Sequence, residues 1–128
     1  MGAWGIQFNE CDGALDFLGD LQDNPNWSTI EKQLREFLAS EYLEDGEQAL
    51  AAAEVIAAGL GRPSPLLDDD LAAWAIANSA GAEMLKDLAA QAVDAVATKS
   101  ELAELWGETD EAGEWQSLVQ ELKARLTE

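Results

Sequence analysis

A chain of 128 residues that sets 26 acidic against seven basic side chains, with no histidine, carries a formal charge of −19 at pH 7. A field of that sign excludes nucleic acid and anionic membrane as natural partners and favours cationic ones. Hydrophobic residues make up 48% of the chain, so the charge does not imply disorder, and this length suits one domain that buries roughly two thirds of its unfolded surface.

Alanine, leucine, glutamate and glutamine dominate and no sustained apolar–polar alternation occurs, so the whole chain is expected to fold as an all-α, single compact multi-helix domain over residues 1–128. Residues 1–9, with Gly2 and Gly5 around Trp4, form the least helical part and read as an extended arm. The first helix is predicted over residues 12–21, with Ala14, Leu15, Leu18 and Leu21 on one stripe, ended by Asp23, Asn24, Pro25 and Asn26. Ser28 followed by Glu31 reads as a capping box for a second helix, whose apolar face is Ile30, Leu34, Phe37 and Leu38. Residues 47–60 are apolar on nearly every face, which predicts a buried Ala-rich central helix ended by Gly59, Gly61 and Pro63.

Asp68, Asp69 and Asp70 stand where a fourth helix should begin, negative charge at the positive end of its dipole, with Leu71, Trp74 and Ala75 facing inward. A fifth is expected after Gly81, burying Leu85, Leu88, Ala89, Ala92, Val93 and Val96. Ser100 can cap a short sixth with Leu102, Leu105 and Trp106, which Gly107 ends. The last is expected over residues 110–126, where Trp115, Leu118, Val119, Leu122 and Leu126 recur at helical spacing.

The residues also carry a family resemblance. Met1-Gly2-Ala3-Trp4-Gly5, Phe8-Asn9, Asp12 and Ala14 to Leu21, then Ala49 to Ala58 leading to Gly61-Arg62-Pro63 and Trp74, and finally Ser100-Glu101-Leu102, Leu105-Trp106 and Glu114-Trp115, together span nearly the whole chain. That pattern resembles a bacterial family of unknown function whose members begin M-G-x-W-G, from which Ile6 and Gln7 depart where a small Gly/Pro step is usual. The resemblance implies a helical fold and a bacterial context, and brings no catalytic residues.

Absences limit the chemistry. Without histidine the usual general base near neutral pH, the Ser-His and Cys-His pairs and the imidazole metal ligand are missing, so no enzyme activity and no metal or cofactor is expected. Cys11 has no partner for a bridge within the chain, and Glu10 and Asp12 beside it disfavour a reactive thiolate, so it reads as structural. No basic segment leads an apolar h-region and no apolar run reaches the roughly 20 residues of a membrane span, so a cytoplasmic location is expected. The aspartates 68–70 lack calcium-loop spacing, and helix capping is the simpler account of them. Glu54, with Leu50 and Ala58 one turn away, needs a buried partner such as Arg62 or a tryptophan N–H, or a proton, and reads as a polar tie between helices.

Glu101, Glu104, Glu108, Asp110, Glu111 and Glu114 crowd one stretch with no basic residue among them and are the expected partner-binding surface, with Glu41, Glu44, Asp45 and Glu47 as a second group. For any single glutamate, solvation of a helix face is the plainer account. Trp74, Trp106 and Trp115 fall on apolar stripes and read as core, whereas Trp4 and Trp27 sit outside the predicted helices, where they could anchor an interface. The expected partner is a basic protein. The leading readings are an immunity protein that neutralises a basic bacterial toxin domain, such as a nuclease with a cationic groove, and a general acidic binding or scaffold module, with an enzyme that uses carboxylates alone as the third.

Overall fold

The computed structural model describes residues 12–40, 46–64, 67–99, 108 and 112–127. Among these it contains six helices and no strand: α1 Asp12–Asp23, α2 Trp27–Ala39, α3 Gly46–Gly59, α4 Asp69–Ala77, α5 Ser79–Lys99 and α6 Ala112–Thr127. The all-α architecture matches the expectation from composition. The expected short helix after Ser100 lies outside the described residues, as do Trp4, Cys11 and Trp106.

Helix α3 is the centre. Ala49 to Gly59 are buried without a break, and the helix packs against every other one, most extensively α5. Its run of alanines explains this, because a helix with small side chains all round lets neighbours approach from every side. The end of α3 is set by Gly61 at φ 88°, a left-handed conformation that costs glycine nothing. Gly61 donates to the Ala58 carbonyl at 2.9 Å and Arg62 to the Ala57 carbonyl at 3.0 Å, the paired bonds of a Schellman cap.

The surrounding helices each turn one stripe inward. Ala14, Leu18 and Leu21 of α1, Ile30, Leu34 and Phe37 of α2, and Trp115, Val119, Leu122 and Leu126 of α6 are buried. Leu15, expected on the α1 stripe, is instead 40% exposed, since one residue beyond Ala14 turns about 100° away from the face that meets α3.

Two start signals shift. Asn26, not Ser28, caps α2: its side chain accepts from the Thr29 N–H at 2.7 Å, and Trp27 is already helical. Asn26 can do this because it lies in extended backbone just after Pro25, and Glu31, freed from the expected capping box, pairs with Arg35 at 2.8 Å. Helix α5 begins at Ser79 rather than after Gly81. Asn78 alone separates it from α4, ending α4 through bonds to the Trp74 and Ala75 carbonyls while its own carbonyl accepts from Gly81. At α4 the expectation holds: Asp68 caps the helix by accepting from Leu71 N–H at 3.0 Å, with Asp69 and Asp70 in the first turn.

Gly59 is the last residue of α3, where a helix end was expected, whereas Gly81 lies inside α5, which a reading of glycines as helix ends does not anticipate. A methyl group on Gly81 would overlap the Trp27 indole, and one on Gly59 would come within 2.5 Å of Ala82 Cβ. Close approach, rather than backbone freedom, requires glycine at both.

Candidate partner-binding surface

The electrostatics begin with how the few cations are used. Lys32 pairs with Glu36, Arg35 with Glu31, Lys86 with Glu83, Lys123 with Asp94, and Arg125 with Glu54 and Glu121. Arg62 donates to the Arg125 carbonyl at 2.8 Å. Lys99 sits in the last turn of α5, where it complements the helix dipole. The basic side chains described are thus largely engaged by the chain's own groups, and seven cations are too few to offset 26 carboxylates.

Of the expected surface, Glu108 and Glu114 are described and both are exposed, with no ion pair to either among the described residues. Glu114 belongs to the first turn of α6, where its charge also favours the helix dipole. Glu101, Glu104, Asp110 and Glu111 lie outside the described residues. So do Glu41, Glu44 and Asp45 of the second group, while Glu47 occupies the first turn of α3, half-buried.

Glu54 is 5% exposed and its partner is Arg125 rather than Arg62. Arg125 Nη2 donates to Glu54 Oε1 at 2.8 Å and Nη1 to Oε2 at 3.1 Å, a two-pronged pair in which both oxygens are engaged. Arg125 also bonds Glu121 through Nε, and its Nη1 reaches the Arg62 carbonyl at 3.2 Å. The correction has a geometric cause. Arg62 lies past the Schellman turn, and its guanidinium is used on the carbonyl of Arg125 while α6 delivers Arg125 onto the flank of α3. Burial is the largest influence on the Glu54 carboxyl and pushes it above the ordinary glutamate range, against the hydrogen bonds and charge of Arg125 and with a small push from Glu121. Arg125 itself is held above the usual arginine value: burial opposes its charge, but Glu54 and then Glu121 outweigh that. With both oxygens engaged by Arg125, Glu54 is arranged as a tie between α3 and α6.

Trp27 departs from its expected role. It begins α2, half-buried over Gly81, with its ring centroid 4.7 Å from that of Trp74 and its Nε1 donating to the Asn78 carbonyl at 3.0 Å. The sequence hides this because the glycine that receives the indole lies 54 positions away, on another helix. Trp115 is core as expected, and Trp74 is half-buried.

Among the described residues no group of three or more cysteine or carboxylate side chains is arranged to hold a metal ion, and no helix is long and apolar enough to cross a membrane. Neither the curated proteins nor the solved structures contain a match to this chain. The family model described as Domain of unknown function (DUF4259) covers residues 2–118, ending in the middle of α6, and by that near-complete match the chain belongs to the DUF4259 family.

Proposed function

We propose that this protein is an immunity protein: it binds a basic bacterial toxin domain, a nuclease by the chemistry of its groove, and neutralises it in the cytoplasm without turnover of any substrate. The observation that carries this reading is the pairing of five of the seven cations with carboxylates of the same chain, on a helical frame whose formal charge is −19. A nuclease groove is cationic because it holds phosphates, and a compact anion of this kind competes for the same surface. Steered association follows, and a folded frame spares binding the ordering cost of a flexible acidic tail.

The test is a search of the native genome for a basic toxin domain encoded beside this chain, followed by co-expression with it. Growth rescue at matched expression and a one-to-one complex on a sizing column are expected. Continued arrest with no complex overturns the reading in favour of a general acidic binding module. Within a complex, Glu108→Lys, Asp110→Lys and Glu114→Lys together should slow association by about tenfold and flatten its salt dependence, with helicity unchanged. An unchanged rate places the interface away from that cluster.

A further inference from the structure

Among the described residues the large apolar side chains left in solvent are Leu15, Ile76 and Met84, at 40%, 50% and 83% exposure. Single exposed apolar residues are ordinary. Ile76 and Met84, however, flank the one-residue joint between α4 and α5, where Ala77 and Ala80 are exposed beside the polar Asn78 and Ser79. Ala73 and Ile76 lie one turn apart on α4, Ala80 and Met84 one turn apart on α5, and all four are exposed together with Ala77.

This corner is held from beneath. Trp27 packs on Gly81 and Trp74, and its N–H fixes the Asn78 carbonyl at the joint. Exposed acidic residues lie along both helices: Asp69 and Asp70 one turn before Ala73 on α4, and Asp87 one turn after Met84 on α5, with Glu83 preceding Met84 in the chain. The cation in that stretch, Lys86, is drawn to Glu83 at 3.3 Å.

We infer that the α4–α5 corner is a docking face for a cationic amphipathic protein segment, whose apolar side chain seats against Ile76, Ala80 and Met84 while its lysines or arginines meet Asp69, Asp70, Glu83 and Asp87. The inference rests on the reading of a cationic protein partner. Charge complementarity selects that occupant. A second copy would bring the same four carboxylates against themselves in a chain already at −19, whereas a basic segment pairs with them. Met84 suits the centre because its unbranched thioether adapts to an irregular partner surface.

The probe is a synthetic helical peptide with lysines on one face and leucines on the other, titrated into the full labelled chain and followed by NMR. Two controls replace its leucines by alanine or its lysines by glutamate. Shifts centred on residues 73–87 are expected, with binding weakened at least tenfold by Ile76→Ser with Met84→Ser, and similarly by the alanine control; the glutamate control should not bind. Both side chains are exposed, so the double variant should keep wild-type circular dichroism. Equal binding of the alanine control, shifts centred on another face, or no binding overturns the inference. So does a concentration-dependent dimer abolished by the double variant, which gives the face to a second copy. A toxin complex that forms with undiminished affinity in the double variant removes this face but keeps the inhibitor reading. Absence of any toxin complex, with peptide shifts still centred on the corner, keeps the face and removes the inhibitor reading.

Discussion

At Glu54 a carboxylate sits inside the buried central helix α3, and Arg125 engages both of its oxygens. Breaking a buried pair on one side leaves the other charge uncompensated, so Arg125→Ala should cost about 3–5 kcal/mol in urea unfolding. Replacing both by leucine should recover most of that loss, since a well-packed apolar pair avoids the desolvation of two charges. The pH dependence follows from the raised carboxyl. A group whose folded value lies above its unfolded one contributes stability fully present below the ordinary glutamate value and lost as pH rises through the folded value. Arg125→Ala removes the influences that oppose this rise, so the variant should be more impaired at pH 8 than at pH 5. An equal loss at both would contradict it. The sequence shows that Glu54 needs a partner, because its neighbours one turn away are apolar; it does not show that the partner is 71 positions distant. A local sign exists in Arg125 itself, a cation adjoining the Leu122 and Leu126 stripe with Glu121 one turn before it.

Helix by helix, periodicity locates the elements and tertiary contact adjusts their ends and glycines. Asp68 and Gly61 cap helices where local chemistry directs them, whereas the Ser28 capping box gives way to Asn26. Gly19 and Gly81 separate two uses of helical glycine. At Gly19 nothing stands within 4 Å of an added Cβ, so Gly19→Ala should raise stability by about 0.4–1 kcal/mol through the unfolded chain. At Gly81 the same change meets the Trp27 indole, and the overpacking should lower stability by about 1–3 kcal/mol. Thermal unfolding of the two variants checks both signs. Equal shifts in the same direction would mean that Trp27 yields without cost.

For the molecule as a whole, the seven cations are too few to balance the carboxylates, and self-repulsion is a standing cost of the folded state. Raising salt from 20 to 500 mM shrinks the screening length from roughly 20 Å to about 4 Å. The melting temperature should rise by about 3–8 °C. Lowering pH from 7 to 5 should act in the same direction, because neutralising carboxylates relieves repulsion and the raised Glu54 carboxyl favours the folded state as protons are added. A melting temperature that falls under either change would show that ion pairs such as Lys123–Asp94 outweigh the net repulsion.

What the sequence determined by itself was the all-helical class, the enclosure of α3 and the inward stripes of α2 and α6, because these follow from side-chain size and spacing along one segment. Net charge was equally legible, being a sum that needs no coordinates. Tertiary structure alone decided which cation reaches Glu54, which glycine receives Trp27 and which apolar side chains remain outside at the α4–α5 corner. The first two depend on the approach of helices far apart in the chain and the third on which faces no other helix covers, and helical periodicity fixes the face a residue occupies without fixing the helix that covers it.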